Sequence, residues 1–124
     1  VEDIMHVGDA IPIVREHETL GTAVVEVSKK GLGMTAVVDR NEVLTGIFTD
    51  GDLRRALDHG VDIRATRISE VMTRNCKTAT AGMLAAEALN VMQDAKISAL
   101  LITDDQGKLI GALNMHDLLK AGVA

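Results

Sequence analysis

Two stretches of this chain bring a glycine, a hydroxyl or amide side chain and a carboxylate together at the same spacing. They are Gly46-Ile47-Phe48-Thr49-Asp50-Gly51-Asp52 and Gly111-Ala112-Leu113-Asn114-Met115-His116-Asp117, 65 residues apart. Each follows an apolar run of strand length and leads into a run of helical character, so the polar groups gather where a strand hands over to a helix. A helix start offers unpaired N–H groups and the positive end of the backbone dipole, which favour phosphate. In a ligand-binding use, Asp52 would accept from ribose hydroxyls, Thr49 would bond sugar or phosphate, and Gly46 would let backbone come close to the ligand. The same Thr and Asp could instead cap the helix that follows.

Other groups could add to such a site. Arg54 and Arg55 stand just beyond Asp52, and a guanidinium fork suits phosphate or carboxylate. Lys29, Lys30 and Lys96 lie near the ends of the longer helical runs. Gly31-Leu32-Gly33-Met34-Thr35-Ala36 has the glycines of a dinucleotide-binding turn in the wrong order, with a helix before it and a strand after. It is therefore a helix stop and strand entry.

Catalytic and metal chemistry are weakly supplied. Asp50-Gly51-Asp52 is too short a pattern to carry a magnesium site, and His6, His17, His59 and His116 lack zinc-ligand spacing. An enzyme built on Asp50, Asp52 and His59 or His116 would have no positioned base, nucleophile or metal set. The sequence predicts no catalytic residue, no metal and no cofactor. Single Cys76 cannot form an internal disulfide and fits a reducing cytoplasm as a small strand residue.

A net charge of −5 opposes general nucleic-acid binding, and the single aromatic residue, Phe48, provides no stacking platform. No apolar run is long enough to span a membrane. The start, Val1-Glu2-Asp3, lacks an initiator Met and a basic leader, which suggests a fragment of a longer protein.

The elements that must present these residues are also written twice. Ile11 to Val14 makes a short strand. Leu20, Ala23, Val24 and Val27 have the spacing of a helix with one buried face, with Thr19 as N-cap and Gly31 as stop; Ala85, Ala88, Leu89 and Met92 repeat it. Met34 to Val38 and Val43 to Thr49 form a hairpin about Arg40-Asn41-Glu42, echoed by Ala99 to Thr103 and Lys108 to Asn114 about Asp104-Asp105-Gln106-Gly107. Short helices follow at Gly51 to Leu57 and Met115 to Ala121. Identical residues recur at Ala23/Ala88, Asp39/Asp104, Leu44/Leu109, Gly46/Gly111, Asp52/Asp117, Leu53/Leu118 and Ala56/Ala121. Asp3-Ile4-Met5 and Glu70-Val71-Met72 also repeat, at an offset of 67, so a length change falls in the segment holding Gly8, Asp9 and Pro12. The expected division is repeat one at 1–58, a linker at 59–67, and repeat two at 68–124.

This repeat resembles a tandem pair of cystathionine β-synthase (CBS) domains. That family's ligand motif is matched in full by Gly46, Ile47, Thr49 and Asp52. In the second copy Gly111, Ala112 and Asp117 match, and Asn114 replaces Thr or Ser. The resemblance implies an α/β fold of two βαββα repeats, packed with pseudo-two-fold symmetry as one Bateman module. It also implies that Met34 and Thr35 line the cleft with Ser98 and Ala99 as counterparts. Thr78, Ala79 and Thr80, at the edge of the second repeat's first strand, are further candidates, as is His116, which lies inside the second motif between Asn114 and Asp117.

Asp3-Ile4-Met5-His6, Leu32-Gly33-Met34-Thr35, the run from Gly46 to Arg55, and Met115-His116-Asp117-Leu118-Leu119 narrow the likeness. They resemble the C-terminal half of bacterial D-arabinose-5-phosphate isomerases. That resemblance implies an N-terminal sugar-isomerase domain elsewhere in the parent chain. The domain interconverts ribulose 5-phosphate and arabinose 5-phosphate for making Kdo, the acidic sugar of lipopolysaccharide. It further implies a regulatory role, with CMP-Kdo as the favoured effector, AMP or ATP as alternatives, and a purely structural dimerisation scaffold as the rival. A homodimer of CBS pairs and a full-length tetramer are expected on the same basis.

Overall fold

The computed structural model describes residue 1 and residues 3–122. The chain divides into two compact units, one formed by Pro12–Cys76 and the other by Val1–Ile11 with Lys77–Ala124.

In the first unit the order is β1 (Ile13–Arg15), α1 (Leu20–Lys30), β2 (Met34–Val38), β3 (Leu44–Thr49) and α2 (Asp50–Asp58). The second has β4 (Thr78–Ala79), α3 (Ala85–Ala95), β5 (Ala99–Thr103), β6 (Leu109–Asn114) and α4 (Met115–Lys120). Both halves are therefore βαββα, as the periodicity predicts. Each sheet has three strands in sequence order, the first pair parallel and the second antiparallel.

Local chemistry explains the element ends. The Thr19 hydroxyl accepts from Thr22 N at the start of α1, and Gly31 closes it in the left-handed region at φ 72°. Helix α3 ends on Lys96 at φ 56°, a conformation that glycine adopts more cheaply. Each hairpin is organised by its shared aspartate. Asp39 Oδ1 accepts from Asn41 N and Val43 N, and Asp104 Oδ1 accepts from Gln106 N and Lys108 N.

The two sheets pair in the same register. Met34 lies opposite Thr49 and Val37 opposite Gly46, just as Ala99 lies opposite Asn114 and Ile102 opposite Gly111. This register corrects one correspondence expected from sequence: Met34 and Thr35 are matched by Ala99 and Leu100, and Ser98 is matched by Gly33. The backbone confirms it, because Asp50 N donates to Gly33 O as Met115 N donates to Ser98 O.

The cores follow the same offset. Val14, Ala23, Val27, Val37 and Phe48 pack with Leu20, Ala56 and Ile68. Ala79, Ala88, Met92, Ile102 and Leu113 pack with Leu100 and Leu118. Larger Met92 against Val27 is offset by smaller Leu113 against Phe48, so side-chain volume is redistributed between helix and strand.

Within each unit the sheet pairs with a segment that the repeat boundaries place in the other repeat. His6 and Ala112 exchange backbone hydrogen bonds, and so do Thr73 and Ile47. Each segment thus covers the outer edge of β6 or β3 respectively. An unprotected sheet edge invites pairing with other chains, and these bridges occupy part of it. The opposite edge of the first sheet is blunted differently: Ile13 N donates to Glu26 Oε2 and Arg15 N to Glu18 Oε2.

Motif glycines make this packing feasible. A Cβ on Gly46 would lie 2.6 Å from Met72 Sδ and 2.9 Å from Thr73 O; on Gly111 it would lie 2.5 Å from Met5 Sδ. Backbone cannot yield as a methionine side chain can. Gly46→Ala is therefore expected to cost about 1–3 kcal/mol and Gly111→Ala less, measured by urea denaturation. Equal losses would contradict the assigned role of the Thr73 carbonyl.

Candidate functional site

In the first unit the motif residues meet at the β3–α2 junction. Thr49 is the N-cap of α2 and forms a reciprocal capping box with Asp52: the Thr49 hydroxyl accepts from Asp52 N at 3.2 Å, and Thr49 N donates to Asp52 Oδ2 at 2.9 Å. The Thr49 hydroxyl also lies 3.2 Å from Oδ2. On the other carboxylate oxygen, Oδ1 accepts from the Thr73 hydroxyl at 2.9 Å and pairs with the Arg55 guanidinium.

Asp52 is only 5% exposed. Burial of a carboxylate is tolerable when hydrogen bonds and a cation satisfy it, and all these donors converge here. The capping role weighed at the sequence level is thus realised. Thr73, contributed by the start of the second repeat's sequence but folded into the first unit, is a partner that motif spacing alone does not identify. Its signal is indirect: it follows Met72 as His6 follows Met5, at the same offset of 67.

The second motif is built alike with different chemistry. Asn114 Oδ1 accepts from Asp117 N at 2.8 Å, and Asn114 N donates to Asp117 Oδ2 at 2.9 Å. His6 Nε2 takes the place of Thr73, lying 3.1 Å from both Asp117 oxygens. Asparagine therefore preserves the cap. What changes between copies is the group that holds the carboxylate from outside the helix.

Among the remaining sequence candidates, Ile47 is buried in β3, where its main chain pairs with Thr73. Met34 and Thr35 are both fully buried, and the Thr35 hydroxyl donates to Ala36 O. Ala79 and Ala99 are buried as well, whereas Thr78, Ser98, His116 and Arg54 are exposed. Arg54 and Arg55 separate clearly: only Arg55 turns back onto Asp52. Lys30 pairs with Glu26 at 3.1 Å, while Lys29 and Lys96 are exposed.

At Gly46, expected to let backbone come close to a ligand, the space a side chain would fill is occupied by Met72 and the Thr73 backbone. His17 belongs to a different feature, a depression of about 250 Å³ lined also by Arg15, Glu16, Val38, Asp39 and Arg40. Half-buried Cys76 has its thiol pushed up from the ordinary value by desolvation, a property of packing cysteines rather than nucleophiles. Among the described residues no cluster of three His, Cys, Asp or Glu side chains is arranged to hold a metal, and no helix is long and apolar enough to cross a membrane.

Comparison with known proteins agrees with this architecture. The chain is 56% identical over 123 residues to arabinose 5-phosphate isomerase KdsD of Pseudomonas aeruginosa, covering 99% of this chain and 38% of that protein. It is 50% identical over 123 residues to KdsD of Escherichia coli K12, covering 99% and 37% respectively. The chain therefore spans well under half the length of these relatives. Among solved structures, the CBS domain pair of protein MJ0100 in complex with 5-methylthioadenosine and S-adenosyl-L-methionine superposes with a TM-score of 0.85. The identity is 25%, with 98% of each chain covered. CBSX2 in complex with AMP shares the fold at a TM-score of 0.83 and 21% identity, covering 98% of this chain and 94% of that one. The CBS domain model matches residues 1–59 and 68–124. With the repeated strand order, the twin capping motifs and this match in agreement, the chain belongs to the CBS domain family.

Proposed function

We propose that this chain is the regulatory, ligand-binding region of a D-arabinose-5-phosphate isomerase, and that it binds a nucleotide-type metabolite at the Gly46–Asp52 motif. The observation that carries the ligand-binding proposal is the convergence of a buried carboxylate, two hydroxyls and a guanidinium on the β3–α2 junction. A carboxylate accepts hydrogen bonds from a sugar diol, hydroxyls can bond either partner, and a guanidinium pairs with phosphate. The MJ0100 pair, at 25% identity, binds two adenosine derivatives, which supports a ribose-bearing ligand here. Similarity to the KdsD proteins supports the parent enzyme.

In this proposal the catalytic sugar-isomerase domain lies elsewhere in the parent chain and works in the cytoplasm on ribulose 5-phosphate and arabinose 5-phosphate. CMP-Kdo is the favoured effector, since feedback from an activated end product suits an enzyme early in the route to Kdo and lipopolysaccharide. That molecule offers ribose, phosphate and carboxylate together. Contacts are assigned to Thr49, Asp52 and Arg55 first, with Asn114, His116 and Asp117 forming the related second site. Control requires the ligand to favour one subunit arrangement over another, and coupling of about 1–3 kcal/mol is typical. Homodimeric CBS pairs within a tetramer would supply such arrangements.

A scaffold without a ligand is the second proposal. It is favoured by the completeness of the internal bonds to Asp52. Isothermal titration of the chain with CMP-Kdo, AMP, ATP and CMP separates the possibilities. Saturable binding of CMP-Kdo well above CMP is the expected result. Preference for AMP or ATP would replace the effector with an adenine nucleotide, and silence from all four would favour the scaffold.

A further inference from the structure

Asp52 is the most heavily committed polar side chain in the first unit. A carboxylate offers about four acceptor directions. Two on Oδ2 are taken by Thr49 N and the Thr49 hydroxyl, and two on Oδ1 by the Thr73 hydroxyl and Arg55. A sugar hydroxyl can bond to Asp52 only by displacing one of these donors.

The four donors differ in how readily they can leave. Thr49 N is half of the capping box that starts α2, and the Thr49 hydroxyl is held beside Oδ2 by its own capping bond from Asp52 N, so displacing either weakens the helix start. The backbone of Thr73 is fixed by its paired bonds to Ile47 and by the close approach of its carbonyl to Gly46, so its short, uncharged hydroxyl can only turn about χ1 and gains no ion pair by leaving. Arg55 alone is held through a long side chain, 66% exposed, whose guanidinium also passes within 3.6 Å of the space a Gly51 side chain would fill. It can swing away without moving backbone. Its departure would strip Asp52 of its ion pair, so it is favourable when another anion receives the guanidinium.

We propose that Arg55 is a gate on Asp52 and a specificity-determining residue of the site. The phosphate of an incoming ligand captures the guanidinium, and that exchange frees Oδ1 to accept from a ribose hydroxyl. This rests on the nucleotide-binding proposal above. The site therefore selects ligands that carry a phosphate and a vicinal diol together, and discriminates against nucleosides beyond the simple loss of a phosphate contact. Thr73 is a positioning residue that keeps the carboxylate facing the exchange.

The distinguishing experiment measures AMP and adenosine binding in parallel, with CMP and cytidine as a second pair. The proteins are the wild-type chain, Arg55→Ala, Arg55→Gln and Asp52→Asn. Arg55 is largely exposed but partners the buried Asp52, so the melting profile of each variant is measured first and affinities are read where the variant is folded; either Arg55 variant suffices. In the gated site, losing Arg55 weakens the monophosphate about tenfold and tightens the matching nucleoside by several-fold, so their affinity ratio collapses. An ordinary phosphate contact would weaken the monophosphate while leaving the nucleoside unchanged, and that result overturns the gate. Equal weakening of both ligands also overturns it by giving Arg55 a purely structural role. If all four ligands bind Asp52→Asn as they bind wild type, or none binds wild type, the nucleotide site itself is wrong and the gate falls with it.

Discussion

Asp52→Ala is expected to abolish ribose-dependent binding and, at the same time, to lower stability by about 1–3 kcal/mol. Both effects have one origin. The carboxylate that would accept a sugar hydroxyl also completes the α2 capping box and receives Thr73 from the following segment. Removing it leaves Thr49 N without its acceptor and releases a contact between parts of the unit distant in sequence. Urea denaturation measures the stability change, and titration well below the unfolding transition measures binding. A variant that binds nucleotides with unchanged affinity would refute the site assignment. Asp117→Ala should be the milder of the two for stability, because α4 has only six residues and, among the described residues, His6 is the one side chain holding Asp117 from outside the motif.

Phe48→Ala should produce the largest loss of stability, about 3–5 kcal/mol. Phe48 is 1% exposed and packs with Val14, Leu20, Ala23, Val27, Val37, Ala56 and Ile68. Its removal would leave a space that several small neighbours cannot fill by modest movement. Domain stabilities of about 5–15 kcal/mol make such a loss a large share of the total. Hydrogen exchange should show protection falling first across β2, β3 and α1, with the Leu113-centred core of the other unit less affected. Phe48→Leu, which installs the residue used at the equivalent Leu113 position, should recover much of the loss. A Phe48→Ala variant destabilised by under about 1 kcal/mol would show that the cluster relaxes far more freely than its packing implies.

These two substitutions probe different levels of organisation. The aromatic core supports the sheet on which the motif is carried, whereas the carboxylate links the motif to the segment that covers it. A core variant should reduce binding only by depleting folded protein. The carboxylate variant should impair binding even where the protein remains folded.

Much of the architecture was legible because its causes are local or periodic. Thr19 followed by helical apolar spacing specifies α1, and Gly31 supplies the left-handed residue that stops it. Asp39 and Asp104 fold the two hairpin turns through bonds to residues close in sequence. The paired motifs likewise announced a strand-to-helix junction, since a cap and its partner three residues later need no distant information. The 65-residue offset extended these local expectations to the entire second half.

Tertiary structure alone decided which distant group meets each motif. Sequence division at 1–58 and 68–124 follows similarity, whereas the compact units join Val1–Ile11 to Lys77–Ala124 and keep the 59–76 segment with the first repeat. That choice brings Thr73 to Asp52 and His6 to Asp117, and makes Gly46 and Gly111 sites of close protein packing. The separation of adjacent Arg54 and Arg55 is local by contrast, because a one-residue step along a helix turns the side chain by about 100° and only Arg55 shares a face with Asp52 three residues earlier. The sequence alone determined the repeated elements and the capping motifs, because short-range hydrogen bonding and periodic burial dictate them. Which partners hold those residues depended on the folded chain, because edge pairing and steric fit are satisfied only between segments that sequence leaves far apart.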